Sequence, residues 1–262
     1  MIMTLKHLNL LRLVFILPLI FHIILAQEPA DSSGSLSPNG TDPAEPRTRF
    51  DAYLARIEPL GTGYILETTA SGDWALAEWA SIGVKFPLVY ADFPSTQTFE
   101  VGDIQLNALL AFYRPRFEGS LDALAIGLDA SLNTGDVETG TGFGQYIVAP
   151  YLAASFYPAD EIMMTPIIKQ FVSLDKDNQG NKRNDLSLRI NTTLTIDQVW
   201  VTLVPELLID MEGDTENLWA LRSSLGYMFN PQMGVSGDFV SQLAGEKRFN
   251  YLGQLSFRYL LP

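Results

Sequence analysis

The sequence predicts an all-β protein, an antiparallel up-and-down transmembrane β-barrel of about twelve strands. Three observations predict it: strict alternation of apolar and polar residues in the last third of the chain, a secretory signal at the start, and alternating short and long connections. Successive side chains of a strand point to opposite faces, so an alternating strand has one apolar and one polar surface. Behind a secretory signal, the apolar surfaces of many such strands can face lipid.

The first 26 residues have the features of a signal peptide. Lys6 precedes an apolar run from Leu8 to Leu25, and the small residue Ala26 stands before the polar Gln27. A charged start, an apolar stretch and a small residue at the cut are typical of secretory signals. We therefore expect cleavage after residue 26, with an uncleaved membrane anchor as the alternative.

Composition restricts the chemistry that the mature chain can perform. The two histidines, His7 and His22, both lie in the predicted signal peptide, and the chain has no Cys. A mature chain without His or Cys cannot form a Ser/His/Asp or Cys/His relay, nor a zinc or thiolate site. The formal net charge of -13 argues against nucleic acid. We expect no catalytic residues, no metal, no cofactor and no nucleic-acid partner.

Residues 27–59 are predicted to form a periplasmic leader, because their first part is rich in Pro, Ser, Gly and acidic residues and cannot bury enough apolar surface to order itself. Within the leader, residues 50–58 are predicted to form a short amphipathic helix. Apolar residues recur there at i, i+3, i+4 and i+7, the spacing of one helix face. These residues are Phe50, Tyr53, Leu54 and Ile57. The barrel is then expected over residues 60–262.

The predicted connections between strands are of two kinds that alternate along the chain. The short ones carry Pro, Asp or Asn at turn positions and lie at residues 157–160, 195–197 and 229–232. The long ones lie at residues 134–144, 175–184, 211–216 and 243–248. Outer-membrane barrels have brief periplasmic turns and longer outward loops, so this alternation is typical of them.

Counting strands backwards from the end of the chain gives twelve. This count treats residues 61–69 and 73–80 as two short strands, separated by a turn at residues 71–73. An even number places both termini in the periplasm, as such barrels require. Ten strands is the alternative, if residues 61–80 form something else.

With the apolar face outward, a definite set of polar side chains faces the lumen. The opposite choice would put Arg and Lys into lipid at a cost of roughly 2–4 kcal/mol each at mid-depth. The expected basic residues are Lys85, Lys169, Arg189, Arg222 and Arg258. The expected acidic and amide residues are Asp103, Gln105, Asn107, Asp129, Asn191, Glu206 and Gln254. Because the two signs nearly balance, we expect weak selectivity for charge. The alternative to a conducting path is a closed lumen, in which these residues form a network of salt bridges.

Three segments, together with Pro150, carry a resemblance to a known family: Gly102–Leu106, Ala125–Asp136 and Gly140–Gly144. They resemble the outer-membrane transporter family that is labelled as belonging to the meta-pathway of phenol degradation. Its members typically have Gly-Asp opening one strand, Leu-Pro-Thr-Gly-Asp ending another and a glycine-rich approach to the next; here Asn133 replaces the Pro. The resemblance covers roughly residues 60–262. It implies a β-barrel that passes small compounds, apolar or aromatic ones among them, and no catalytic residues.

The sequence thus predicts an outer-membrane channel or transporter for small, apolar or aromatic, solutes. One alternative is a closed structural or surface-contact barrel without transport. Another is an envelope enzyme with an acid-only site at Glu78, Asp129 or Glu206. The partners expected for the channel are outer-membrane lipid and lipopolysaccharide, a small-molecule solute and the barrel-assembly machinery.

Overall fold

A computed structural model describes residues 39–94, 96–113, 121–176, 182–213, 216–245 and 247–261. The regular elements of these residues are strands, and none of their segments is a helix long and apolar enough to cross a membrane. The predicted signal peptide over residues 1–26 and the leader up to residue 38 lie outside the described residues.

In the described part of the chain, thirteen strands form one antiparallel sheet that closes on itself. They are β1 (Arg49–Pro59), β2 (Tyr64–Ala77), β3 (Ala80–Phe93), β4 (Thr96–Val101), β5 (Gln105–Tyr113), β6 (Leu121–Ser131), β7 (Ile147–Ala159), β8 (Ile162–Ser173), β9 (Asn184–Ile196), β10 (Val199–Asp210), β11 (Leu218–Asn230), β12 (Met233–Ala244) and β13 (Phe249–Leu260). Each strand from β5 to β13 pairs with the next, β13 pairs with β1, and β1–β2–β3 complete the ring.

Strands β4 and β5 share one place in the wall. β4 pairs with residues 88–93 of β3, whereas β5 pairs with residues 80–85 of the same strand. The wall therefore has twelve strand positions, which confirms the predicted closed barrel of twelve strands.

The apolar face of the strands points outward, as predicted. In β9, Leu188, Ile190 and Leu194 are 36%, 41% and 39% exposed, whereas the alternating Ser187 and Thr193 are buried. Each described strand except β4 has a strand partner on both sides, whereas β4 pairs with β3 alone.

The predicted helix over residues 50–58 is wrong, because these residues belong to β1. Phe50 is paired with Tyr259 of β13 on one side and with Gly72 of β2 on the other. Its outward neighbour along the strand, Leu54, is 49% exposed, and Ala55 is buried on the inner face. The apolar side chains of residues 50–58 fit the period of a helix as well as the period of two of a strand, so local pattern does not decide between them. The strand forms because β13 needs a hydrogen-bonding partner at its open edge. The barrel wall accordingly begins at Arg49.

The predicted turn at residues 71–73 is also wrong, since β2 runs through it. Ser71 and Asp73 pair with β1 on one side and with β3 on the other. The Asp73 carboxylate accepts hydrogen bonds from Arg49 and Asn107 instead of shaping a turn. One strand therefore replaces the two predicted between residues 61 and 80, and β1 restores the count to twelve.

The two ends of the barrel differ in the length of their connections. The end that we call the turn end has two-residue links at residues 78–79, 160–161, 197–198 and 231–232, together with the connection from β5 to β6. The opposite end, the loop end, carries the connections at residues 60–63, 94–95, 132–146, 174–183, 211–217 and 245–248. Asp197 takes a left-handed conformation in its two-residue turn, with φ of 52°, as such tight hairpins require.

Candidate functional site: the barrel lumen

Residues 39–48, which we call the luminal segment, lie inside the barrel at its turn end. Asn39, Asp42 and Ala44 are 1%, 4% and 0% exposed. The prediction of a flexible leader is therefore wrong for these residues. Their polar composition predicts disorder in water, but the lumen supplies the hydrogen-bonding partners that replace water.

Two arginines of the wall hold the beginning of the luminal segment. Arg258 Nη1 donates to the carbonyls of Asn39 (3.0 Å) and Gly40 (3.3 Å), and Arg49 Nη1 donates to Gly40 O (2.9 Å). The Asp51 carboxylate lies between them, 2.8 Å from Arg258 Nε and 3.4 Å from Arg49 Nε. Carbonyls that accept from charged donors form stronger hydrogen bonds than neutral pairs do, so this junction is firmly held.

The other side of the luminal segment contacts the opposite wall. Asp42 Oδ1 accepts from Ser155 Oγ at 2.5 Å, and Ser155 also contacts Thr165 Oγ1 at 3.0 Å. Asn39 Nδ2 donates to Thr195 Oγ1 at 3.1 Å. Ala44 packs among inward apolar residues, which are Leu109, Ala111, Ala123, Ala125, Ala153 and Ile167. The luminal segment thus crosses the lumen from β13 and β1 to β7–β9 and narrows the turn end.

A conformational requirement of the luminal segment lies at Gly40. Its φ is +62°, a left-handed conformation that other residues adopt with strain. A Cβ there would also lie 2.8 Å from Leu260 Cδ2. Glycine is therefore the residue that lets the segment bend against the end of β13.

The middle of the lumen contains an ion pair surrounded by aromatic rings. Lys169 is 8% exposed and binds the Asp129 carboxylate. Its Nζ lies 5.6 Å from the centre of the Tyr151 ring and 5.0 Å from that of Phe171, which is within cation–π range. Tyr151 in turn covers Gly127 of β6, where a Cβ would overlap the ring. This ring can reach into the lumen only because residue 127 has no side chain.

Several acidic side chains of the inner face are bound by hydroxyl groups rather than by cations. Ser187 donates to Glu206, Ser224 donates to Asp238, and Thr69 Oγ1 donates to Glu67 Oε1 at 2.7 Å. In contrast, Lys85, Arg189 and Arg222 have no ion pair or hydrogen bond with any described residue. Nε of Arg189 is buried and lacks an acceptor there. The wall therefore presents cationic donors that the described chain leaves unused.

The remaining amide residues of the predicted lining also lie on inner-face positions of their strands. Asn107 Nδ2 donates to Asp73 Oδ1 at 2.9 Å, and Gln254 Nε2 donates to Ser256 Oγ at 2.8 Å. Gln105 stands opposite Lys85 in the strand register. Asn191 Oδ1 is buried without a hydrogen-bonding partner in the part of the chain that is described.

Asp103 is the exception, since it lies in the break between β4 and β5 and not on a luminal strand position. Its Oδ1 accepts from the amides of Thr134 (3.1 Å) and Gly135 (2.8 Å), and its Oδ2 accepts from that of Phe143 (2.7 Å). Asp103 thereby clamps the 132–146 loop at the loop end. Strand alternation does not show that β3 changes its partner from β4 to β5 here, and the predicted lumen lining therefore included Asp103.

Replacing Asp103 with Ala is expected to release the 132–146 loop without unfolding the barrel. Three amides lose a charged acceptor, and hydrogen bonds to charged groups contribute about 1.5–3 kcal/mol each. Chymotrypsin cleavage after Phe143, followed by mass spectrometry, should be much faster in D103A. The matched control is D136A, because the Asp136 side chain accepts one amide, that of Glu138, in the same loop. Equal cleavage of D103A and wild type would contradict the clamp.

The three acids considered for an acid-only enzyme are not gathered in one place. Glu78 is exposed in the turn between β2 and β3. Asp129 is bonded to Lys169, and Glu206 to Ser187, on different parts of the wall. The arrangement does not place two of these carboxylates together as a general acid and base.

No protein-family model matches the chain, and no curated protein matches it. Among solved structures, an outer membrane channel from Pseudomonas putida F1 has a TM-score of 0.63 at 12% identity, covering 89% of this chain and 100% of that one. The KdgM porin in complex with disordered oligogalacturonate has a TM-score of 0.57 at 11% identity, covering 82% and 99%. The NanC porin has a TM-score of 0.56 at 10% identity, covering 82% of this chain and 99% of that one. At these identities the likeness shows the fold: the chain has the twelve-stranded barrel found in outer-membrane channels and porins.

Proposed function

We propose that this protein is an outer-membrane channel that passes small solutes through a lumen narrowed by its own luminal segment. The observation that carries the proposal is the division of the wall into an apolar outer face and an inner face of charged, amide and hydroxyl side chains. A soluble barrel would bury its apolar face, whereas this one exposes it all around the ring.

The outer face also supports a place in the outer membrane. Exposed aromatic side chains are found towards both ends of the barrel. Towards the turn end these are Phe50, Trp74, Trp79, Tyr227 and Phe229, and towards the loop end Phe99, Trp219, Phe239 and Tyr251. Aromatic girdles of this kind mark the two interfaces of transmembrane barrels. Lipid and lipopolysaccharide around the wall, and the barrel-assembly machinery during insertion, are the partners that this location implies.

The lining supports small polar or amphipathic solutes better than wholly apolar ones. The luminal segment fills part of the turn end, so a wide aqueous pore is not expected. Aromatic solutes fit because the rings of Tyr151 and Phe171 lie on the inner face beside Lys169. The relationship to the phenol-degradation family remains a prediction from the resembling segments.

Cell fractionation and single-channel recording test this proposal together. We expect the mature chain in the outer-membrane fraction, and a small single-channel conductance with weak ion selectivity after refolding into planar bilayers. Recovery in the soluble periplasm would contradict the location. A folded barrel that is silent both as wild type and after removal of the Arg258 side chain would favour a closed structural barrel, the alternative suggested by the buried luminal segment.

A further inference from the structure

We propose that the loop-end mouth of the lumen holds a binding site for uncharged planar aromatic solutes, formed by Phe143 and Arg183. The inference rests on the proposed function, because it names the class of solute that the channel admits and the place where that solute binds on entry. It starts from an aromatic ring that is held in an exposed position inside the mouth.

The ring of Phe143 lies in the mouth against the side chain of Arg183. Arg183 Cζ is 5.6 Å from the centre of the Phe143 ring and 4.5 Å from that of the Phe171 ring. Phe171 lies two residues after Lys169 on the inner face of β8, so these contacts place the rings on the luminal side of the wall. Phe143 is nevertheless 52% exposed, and part of its ring surface is therefore open to a solute.

Both members of this site are fixed in place before a solute arrives. The backbone amide of Phe143 donates to Asp103 Oδ2 at 2.7 Å, at the break between β4 and β5. Arg183 Nε donates to Asp185 Oδ2 at 2.7 Å, and its backbone amide donates to Ser173 Oγ at 2.8 Å. A site that is already ordered loses little conformational entropy on binding, so more of the contact energy appears as affinity.

Below the mouth, rings and cations continue to alternate towards the middle of the lumen. Lys169 Nζ lies 5.0 Å from the centre of the Phe171 ring and 5.6 Å from that of the Tyr151 ring. Together with the contact of Arg183 on Phe171, this gives a continuous series of ring–cation contacts. A solute that enters at Phe143 therefore has further aromatic and cationic surfaces to contact on its way inward.

The charges of this series favour an uncharged solute. Arg183 is paired with Asp185, and Lys169 is paired with Asp129. An anion would be attracted by each cation but repelled by the paired acid, whereas an uncharged ring gains from stacking without that repulsion. The side chain of Arg183 is 26% exposed and carries further N–H groups besides Nε, which can donate to an oxygen of the solute. The site therefore suits an uncharged aromatic ring that carries an oxygen acceptor.

Fluorine NMR titration of the folded protein in lipid nanodiscs with para-fluorobenzamide tests the site, and empty nanodiscs correct for partition of the probe into lipid. We expect saturable binding that benzamide displaces. Cyclohexanecarboxamide has the same amide on a saturated ring that cannot stack, so it should displace the probe at least about fivefold less well.

Variants at Phe143 separate the role of the ring from that of the loop that carries it. F143A keeps the amide that Asp103 accepts but removes the ring, so the probe should bind at least about fivefold more weakly. F143W restores a stacking surface and should bind within about twofold of wild type. R183Q should also weaken binding, because the cation beside the ring is lost. F99L is the matched control, because it removes an exposed ring at the same end of the barrel from the outer face, and it should bind as wild type does.

The outcomes separate this inference from the proposed function. Equal binding of the probe to wild type and F143A, or equal displacement by benzamide and cyclohexanecarboxamide, would overturn the aromatic site even if the channel conducts. Binding that F143A loses and F143W restores would support the site even if bilayer recordings were silent and the channel proposal failed. Heat-modifiable gel migration checks that each variant is folded, and F143L, which is apolar but has no ring, carries the test if F143A does not fold.

Discussion

Replacing Arg258 with Ala is expected to raise the single-channel conductance several-fold. The change removes the donor to the Asn39 and Gly40 carbonyls and the partner of Asp51. Hydrogen bonds from charged groups contribute about 1.5–3 kcal/mol each, so their loss frees the start of the luminal segment from the wall. The loss of a cation should also shift the reversal potential across a salt gradient toward cation selectivity.

Two control variants distinguish a wider conducting path from the loss of a positive charge in the lumen. Q254A removes an inner-face side chain four residues earlier on β13 that contacts Ser256 and not the luminal segment, so its conductance should equal that of wild type. R222A removes an unpaired luminal cation, so it should shift selectivity toward cations with little gain in conductance. If R258A conducted like Q254A, the luminal segment would not limit the path.

Introducing Arg at Leu188 or Phe257 is expected to impair barrel stability severely. Both side chains are on the outer face, 36% and 40% exposed, in the region that lipid would cover. A lipid-facing Arg costs roughly 2–4 kcal/mol near mid-depth and less near the interfaces. Heat-modifiable gel migration of the refolded variants should show a reduced folded band for both.

The matched control for L188R is R189L, which removes a charge from the inner face at the next residue of β9. Arg189 faces the lumen and has no hydrogen-bonding partner at Nε among the described residues, so its replacement by Leu should leave the folded band largely intact. A lost folded band in R189L together with a normal one in L188R would reverse the inner and outer faces.

The sequence was most informative where a strand is long and strictly alternating. In β9 and β13 the period of two runs over a dozen residues, and no helix can satisfy it. It was least informative at β1, where Phe50 and Leu54 fit both periods, and at β2, where Ser71-Gly72-Asp73 has the composition of a turn. There the pairing with neighbouring strands decides, and such pairing is a long-range interaction that local composition does not report.

The luminal positions show the same division. Alternation alone indicated which side of each strand carries Lys169, Arg189 and Arg258, because a strand has two faces and lipid excludes charge from one of them. Apart from the nearby glycines, nothing in the sequence around Asp103 predicts that its carboxylate accepts hydrogen bonds from three amides of the 132–146 loop. The burial of Asn39 and Asp42 was missed because isolated polar residues predict exposure to water.

Local sequence patterns were sufficient to predict the barrel class, the phase of its strands and the end at which the long loops gather. These follow from local periodicity and turn chemistry, which act over a few residues. Long-range contacts determine that β1 closes the ring, that the luminal segment crosses the lumen, and which cations have no partner among the described residues. These depend on contacts such as Asp42 with Ser155 and Arg258 with Asn39, between residues more than a hundred positions apart. Such contacts exist only once the sheet has closed and brought its facing walls within reach of one another.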